Sequence, residues 1–261
     1  MADYLDLLAQ HAKETVKSGY YERLPALPAS YAASLKAEIS KAKGAALITE
    51  VKVASPSKGT LRKNISPKTV KEAALAMARG GAVGISVITE PKHFQGSLEN
   101  LAYARSAVKL PLLMKDFIVS PKQLDAAQKL GANAVLLIEA LFDRGYSESS
   151  LSVMIAEAHA RNLEVLLETH TKHEFQRAVQ TDADLVGINN RDLGTLKVDL
   201  TVTSSILESV LPQGKIVVSE SGINTPADIR FLRACGAWAF LVGSAVMQAD
   251  DIESKVKELL T

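Results

Sequence analysis

Eight short apolar runs, each followed by a segment with helical periodicity, constrain the fold of this 261-residue chain more than any other feature. The runs are too short for free-standing helices and are almost continuously apolar, as parallel strands buried on both faces must be. They begin at Ala45, Val83, Pro111, Asn133, Glu164, Leu185, Lys215 and Ala239. Eight strand–helix units with short loops predict an α/β protein with a closed (β/α)8 TIM barrel. An open doubly wound sheet is the alternative, although no Gly-x-Gly-x-x-Gly follows the first run.

Start and stop signals frame several of the helical segments. A serine or threonine followed by proline offers an N-cap and a favourable first helical residue. A glycine is expected where the matching helix ends. The three starts are Ser66, Ser120 and Thr225, and the three ends are Gly80, Gly131 and Gly236.

Residues 1–44 precede the first run and form a helical extension. An amphipathic pattern from Leu5 to Val16 predicts one helix, Gly19 breaks it, and a second helical stretch covers residues 31–43. Such an extension either plugs the bottom of the barrel or reaches over its top. No internal boundary is visible, so we expect residues 1–261 to form one domain.

Charge and cysteine content exclude several classes of protein. The chain has 30 basic and 29 acidic residues, a balance that argues against a nucleic-acid or membrane-surface binder. Its longest apolar stretch, residues 236–247, is shorter than the roughly 18–20 residues that span a bilayer, and no signal peptide is visible. Cys235 stands alone, which excludes an internal disulfide and a cysteine-based metal site. We expect a soluble, cytoplasmic protein.

Polar residues at the ends of the apolar runs predict where the site lies. In such a barrel the active site forms at the C-terminal ends of the strands, and a charge there is costly unless it is paired. A converging set therefore predicts a polar catalytic pocket, with structural ion pairs at the barrel rim as the alternative. The residues are Glu50, Lys52, Lys115, Asp116, Glu139, Glu168, Asn189, Arg191, Ser219, Glu220 and Ser221.

The last two runs end in small residues that suit a phosphate. Ser221-Gly222 and Gly243-Ser244 follow the seventh and eighth runs, where barrels of this kind often bind phosphate through backbone N–H groups. Plain tight turns are the alternative.

Ordered motifs on seven of the eight strand ends resemble one family, the indole-3-glycerol-phosphate synthases of tryptophan biosynthesis. The motifs are Glu-Val-Lys-Val-Ala-Ser-Pro-Ser-Lys-Gly from Glu50, Thr89-Glu90, Phe-Gln-Gly-Ser from Phe94, Leu-Met-Lys-Asp-Phe-Ile from Leu113, Leu-Leu-Glu ending at Glu168, Gly-Ile-Asn-Asn-Arg-Asp-Leu from Gly187, Ser-Glu-Ser-Gly-Ile from Ser219 and Leu-Val-Gly from Leu241. The helical extension is also similar to that of the family. Val53 departs from the family, where a second basic residue is common, and Ser244 replaces a common glutamate.

The resemblance implies a decarboxylating lyase that closes an indole ring. Its substrate would be 1-(2-carboxyphenylamino)-1-deoxyribulose 5-phosphate, and its products indole-3-glycerol phosphate, CO2 and water. No cofactor and no metal is required. The partner would be this small phosphorylated molecule, and we expect a monomer, with association with other tryptophan-pathway enzymes left open.

The resemblance also implies roles for the charged residues. Lys115 would be the general acid at the ketone oxygen, with a pKa lowered by a partly dry pocket and other cations. Glu168 would be the general base of the dehydration, and Glu50 would support Lys115. Lys52 would meet the phosphate and is a second candidate acid.

The remaining residues would bind the substrate. Asn189 and Glu220 would hold the hydroxyl groups, Arg191 would orient neighbouring carboxylates, and Ser55 would lie near the substrate carboxylate. The phosphate would be bound by Ser221, Gly222, Gly243 and Ser244. The apolar slot for the aromatic ring would be formed by Pro56, Phe94, Phe117 and Leu136.

Three other functions fit parts of the pattern. Lys115 could form a Schiff base in an aldolase. The second is a sister barrel enzyme such as phosphoribosylanthranilate isomerase. The third is a non-catalytic phosphate-binding barrel. His170 and His173 are three residues apart, but Thr171 with Glu174 fits a capping box, which places His173 in the first turn of an outer helix. No third ligand stands at a defined spacing, so we expect no metal site.

Overall fold

The eight apolar runs form eight parallel strands that close into a barrel, which confirms the predicted (β/α)8 fold. A computed structural model describes residues 3–25, 31–55, 59–60 and 66–261. Its strands are β1 (Ala46–Val51), β2 (Ala54–Ser55), β3 (Gly59–Thr60), β4 (Gly84–Ile88), β5 (Leu112–Lys115), β6 (Ala134–Ile138), β7 (Glu164–Thr169), β8 (Leu185–Asn189), β9 (Ile216–Glu220) and β10 (Ala239–Val242). β2 and β3 pair with each other in a separate two-stranded sheet, and β1 closes the barrel between β4 and β10.

Helices alternate with the strands from α3 onward and surround the barrel, whereas α1 and α2 precede its first strand. They are α1 (Tyr4–Lys17), α2 (Leu35–Lys41), α3 (Pro67–Gly80), α4 (Leu98–Ala107), α5 (Pro121–Lys129), α6 (Glu139–Asp143), α7 (Leu151–Ala160), α8 (Lys172–Ala178), α9 (Thr201–Leu207), α10 (Pro226–Ala234), α11 (Ser244–Met247) and α12 (Ile252–Leu259). Within the described ranges, no helix is long and apolar enough to cross a membrane.

The helix starts predicted from Ser-Pro and Thr-Pro pairs are confirmed, and one predicted end shifts by a residue. Ser66, Ser120 and Thr225 are the N-caps of α3, α5 and α10, and each takes part in a capping box. Gly81 rather than Gly80 adopts the left-handed conformation after α3 (φ 104°). Gly80 instead allows close packing, because a Cβ there would lie 2.5 Å from the Cβ of Val256.

The N-terminal extension contacts both ends of the barrel, so each of the two predicted positions describes one half of it. Its first half lies at the C-terminal ends of the strands, where Tyr21 Oη donates to Asp116 Oδ2 at 2.9 Å. Its second half, with α2, lies at the opposite end. There the Lys36 N–H donates to Glu164 Oε2 at 3.0 Å, and Leu35 packs so closely that Gly84 has no room for a Cβ.

Candidate active site

The polar strand ends converge on one cavity of about 430 Å³ at the C-terminal end of the barrel. Lys115, Asn189 and Glu220 are the last residues of β5, β8 and β9, and Glu50 and Glu168 are next to last in β1 and β7. Parallel register brings these ends level, since Asn189 pairs with Glu220 across β8 and β9. The sequence therefore predicted the end of the barrel at which its charges meet.

Lys115 is at the centre of the charged cluster. Its Nζ lies 2.6 Å from Glu220 Oε2 and 3.2 Å from Glu168 Oε2. Burial alone would lower the pKa of Lys115, but these two carboxylates and Glu50 outweigh burial and raise it above its ordinary value. The prediction of a lowered pKa was wrong, because carboxylates rather than cations surround the ammonium group.

The charges in this cluster shift the pKa values of Glu220 and Glu168 in opposite directions. Burial and the neighbouring charges of Glu168 and Glu50 raise the pKa of Glu220 to about 7, against the opposing effect of Lys115. Burial would also raise the pKa of Glu168, but Lys115 and His170 lower it below its usual range. These opposite directions favour the ionised form of Glu168 and the protonated form of Glu220.

Glu50 and Lys52 form a second ion pair beside this cluster. Lys52 Nζ lies 3.2 Å from Glu50 Oε1 and 5.7 Å from the centroid of the Phe94 ring. Because Glu50 and Lys52 are two residues apart in an extended segment, their side chains reach the same side of the barrel end. Arg191 also lines the cavity, and its Nη1 donates to Leu196 O at 3.0 Å.

One wall of the cavity is apolar. Phe94 and Phe117 lie with ring centroids 6.0 Å apart, tilted by 42°. Leu136 from β6 continues the wall. The structure brings these three predicted residues together. Pro56 lies outside the described residues, and Ser55 is in β2 with its side chain not described.

Two consecutive left-handed residues form the turn after β9. Ser221 and Gly222 have φ of 66° and 85°. Asn190 fixes the turn, since its Nδ2 donates to Glu220 O at 3.0 Å and Ser221 O at 3.2 Å. Gly243 and Ser244, after β10, line the same cavity. All four residues predicted for the phosphate thus line one cavity.

Glu139 is the strand-end charge that does not reach the cavity. It is the first residue of α6 rather than the end of β6, and Arg177 Nε donates to its Oε1 at 2.7 Å. Its assignment to the polar pocket was wrong, because the chain turns into a helix one residue earlier than expected. It belongs to the structural ion pairs considered as the alternative.

Gly187 in β8 is a site residue that sequence reasoning missed. A Cβ at this position would lie 2.3 Å from Glu220 Oε1. We expect Gly187→Ala to displace the Glu220 carboxylate from Lys115 and to lower kcat about 10- to 100-fold, the scale expected for a misplaced catalytic group. Steady-state kinetics would measure it. Gly44→Ala is the matched control, because a Cβ there approaches nothing closer than 4.0 Å. Equal kcat values for the two variants would contradict the argument.

Asp116 is a buried acid between the cavity and the extension. Thr89 Oγ1 donates to its Oδ2 at 2.5 Å, beside the bond from Tyr21. Burial, reinforced by the charge of Glu90, raises the pKa of Asp116 from 3.8 to about 7. Between these values the folded state binds a proton that the unfolded chain has released.

The stability contributed by this proton is complete below about pH 4 and is lost as the pH rises through about 7. In Asp116→Asn, the side chain at this position is uncharged at every pH. We therefore expect the free energy of unfolding of the wild type, relative to Asp116→Asn, to decline by at most about 1.4 kcal/mol per pH unit across this window. Urea titrations at several pH values would measure the difference. A constant difference would contradict the raised pKa.

The fold and the cavity define the class of protein. A lysine among three carboxylates at the strand ends, beside an apolar wall and two small-residue turns, describes a (β/α)8-barrel enzyme that carries out proton transfer. Among the described residues, no group of three or more His, Cys, Asp or Glu is placed to hold a metal ion.

Comparison with known proteins gives the family. The family model for indole-3-glycerol phosphate synthase matches residues 7–259. An indole-3-glycerol phosphate synthase from Dehalococcoides mccartyi is 44% identical over 240 residues, which cover 91% of this chain and 88% of that protein. One from Aromatoleum aromaticum is 41% identical over 261 residues, covering 96% of each chain. The chain therefore belongs to the indole-3-glycerol phosphate synthase family.

Solved structures with lower identity support the fold. A thiamine phosphate pyrophosphorylase from Pyrococcus furiosus superimposes with a TM-score of 0.58 at 20% identity, covering 87% of this chain and 96% of its own. An N-acetylmannosamine-6-phosphate 2-epimerase from Clostridium perfringens superimposes with the same score at 18% identity, covering 77% of this chain and 86% of its own.

Family membership defines the reaction. The protein is a carboxy-lyase of tryptophan biosynthesis that converts 1-(2-carboxyphenylamino)-1-deoxyribulose 5-phosphate to indole-3-glycerol phosphate, CO2 and water. The substrate is a small phosphorylated molecule, and the family assignment favours this reaction over the aldolase, isomerase and non-catalytic alternatives.

Proposed function

We propose that Lys115 and Glu168 are the general acid and the general base of ring closure. The observation that carries this proposal is the position of Lys115 Nζ, within 3.2 Å of both Glu168 and Glu220 at the centre of the cavity. The apolar wall of Phe94, Phe117 and Leu136 lies around the same cavity as the Gly222 and Gly243 turns. A substrate with an aromatic ring at one end and a phosphate at the other would therefore place its ketone near Lys115.

In the first step, an aromatic carbon of the substrate attacks the ketone carbon. A carbon–carbon bond forms, the carbonyl π bond breaks, and the oxygen takes a proton from Lys115. An alkoxide is a stronger base than an amine, so the raised pKa of Lys115 does not prevent the transfer. It ensures instead that the lysine is protonated when the substrate arrives. Loss of the carboxylate as CO2 then restores the aromatic ring.

The second half of the reaction is a dehydration. Glu168 removes a proton from the carbon next to the new alcohol, and the hydroxyl group leaves as water with a proton from an acid. When Lys115 has given up its proton, Glu168 loses one of the positive charges that lower its pKa, so its basicity rises at that stage. Lys52 also lines the cavity, and we assign it as the second acid, with its ion pair to Glu50 holding its proton.

The remaining residues would orient the substrate. We assign the phosphate to the backbone N–H groups and hydroxyls of Ser221, Gly222, Gly243 and Ser244. Asn189 and Glu220 would bind the hydroxyl groups of the sugar chain, and Arg191 would orient the carboxylates near it. Ser55 and Pro56 remain assigned to the carboxylate and ring of the substrate from the family motif.

We further infer a cytoplasmic protein with one domain across residues 1–261 that acts as a monomer, with association with other tryptophan-pathway enzymes left open. The biosynthetic family and the balanced charge support this location. Gel filtration coupled to light scattering would test the oligomeric state, and a mass of about 28.0 kDa is expected.

The activity itself is tested by mixing the purified protein with the carboxyphenylamino-deoxyribulose phosphate. We expect indole fluorescence to appear together with one equivalent of CO2. Binding of the substrate without fluorescence and without CO2 would contradict the ring-closing activity and leave a phosphate-binding barrel with other chemistry.

A further inference from the structure

His170 is a buried histidine directly behind the Glu168 carboxylate. It follows the last residue of β7, and its side chain is 12% exposed. Its Nε2 lies 3.2 Å from Glu168 Oε1, and its Nδ1 lies 3.6 Å from Glu174 Oε2 on α8. The ring therefore stands between two carboxylates, one of which belongs to the cavity.

The two oxygens of Glu168 have different partners. Oε1 accepts from Asn189 Nδ2 at 3.0 Å and faces His170, whereas Oε2 faces Lys115. The contact with His170 is an ion pair without good hydrogen-bond alignment. When Lys115 turns to the substrate ketone, Oε2 becomes available for the substrate while Oε1 stays held. Glu168 would then lack the charge of Lys115 in a buried position, a situation that favours the neutral acid.

We propose that His170 is a positioning residue, which stays protonated between Glu168 and Glu174 and keeps the Glu168 carboxylate ionised and oriented while Lys115 is engaged with the substrate. This inference rests on the proposed function, since it requires Glu168 to be the base.

The surroundings of His170 favour its charged form. The charged groups that face it are Glu168 on its own strand, Glu174 on α8 and Asp192 in the loop after β8, with Lys115 on the far oxygen of Glu168. Burial would lower the pKa of His170, but the two glutamates outweigh it and raise the pKa to about 9. Three carboxylates against one ammonium group favour an imidazolium ion at neutral pH.

His170→Gln tests the proposal, because glutamine keeps a hydrogen-bond donor near Glu168 but removes the charge. We expect kcat of the variant relative to wild type to be about tenfold lower on the acidic limb of the pH profile, because there a rise of about one unit in the pKa of Glu168 reduces its ionised fraction about tenfold. The ratio should approach one above about pH 9, where wild-type His170 also loses its charge. Ionisations common to both enzymes cancel in this ratio.

A purely structural role for His170 would give a loss of activity that is equal at every pH, and this result would overturn the proposal. His159→Gln is the matched control. That histidine also pairs with a carboxylate, Asp184 at 2.9 Å, but is 39% exposed and away from the cavity. We expect its ratio to stay near one throughout.

Direct titration of His170 by NMR in the full-length enzyme gives a second readout. We expect a midpoint near pH 9 in the wild type and a lower midpoint in Glu174→Gln. A midpoint below neutral pH in the wild type would also overturn the proposal.

Failure of this inference is distinguishable from failure of the proposed function. Full activity of Glu168→Gln would exclude Glu168 as the base and would contradict the proposed function. If Glu168→Gln is inactive and the kcat ratio of His170→Gln to wild type does not change with pH, Glu168 remains the base. The proposed role of His170 is then contradicted.

Discussion

Lys115→Met is expected to lower kcat by about 10²- to 10⁴-fold, the usual contribution of a general acid or base. Methionine keeps most of the apolar length of the side chain but has neither the proton nor the charge. The aromatic carbon must then attack a ketone that no cation polarises from this position. We expect both CO2 release and indole fluorescence to fall together, because the loss precedes decarboxylation.

The charge balance makes this variant informative in a second way. Glu168, Glu220 and Glu50 would lose the cation that compensates them, so we expect an altered pH profile for the residual activity. Lys41→Met is the control, since Lys41 pairs with Glu38 on the exposed face of α2. A kcat within a fewfold of the wild type for Lys115→Met would exclude Lys115 as the acid.

Glu168→Gln is expected to block the dehydration, a later step than the ring closure affected by Lys115→Met. The amide keeps the size of the side chain and a partner for Asn189, but it cannot accept the proton lost in dehydration. We expect turnover to indole to fall by about 10²- to 10⁴-fold. Ring closure and decarboxylation do not need this base, so CO2 should be released up to about one equivalent per enzyme molecule before the site is blocked.

Rapid-quench measurement of CO2, with fluorescence recorded in parallel, separates the two steps. Glu157→Gln is the matched control, because Glu157 pairs with Arg161 on the outside of the barrel. Loss of the CO2 burst together with the indole signal would show that Glu168 acts before decarboxylation, which is contrary to the proposed role.

Features that depend on residues close together in the sequence could be predicted from it, whereas features that depend on contacts between strands could not. The barrel follows from eight short apolar runs that alternate with helical segments, and the convergence of Glu50, Lys115, Glu168 and Glu220 follows from their places at the ends of those runs, which a single sequence displays. The pKa of Lys115 does not, because it depends on how near β7 and β9 bring their carboxylates.

The residues missed by sequence reasoning act across strands. Gly187 makes room for a side chain of the neighbouring strand, and nothing next to it in the sequence indicates this. Val198 and Leu200, after β8, lie against Gly222 and line the cavity, although their local pattern is that of an ordinary loop. Glu139 was misplaced for the opposite reason, since its own strand ended one residue early.

The extension that contacts both ends of the barrel has a consequence for the order of events during synthesis. Asp3 and Asp6 pair with Arg144, 141 and 138 residues further along the chain. At a synthesis rate of about 5–20 residues per second, Arg144 is added roughly 7–28 s after these aspartates. We therefore expect this ion pair to fix α1, with its apolar face of Leu5 and Leu8, only after the first four barrel strands, β1, β4, β5 and β6, have been synthesised.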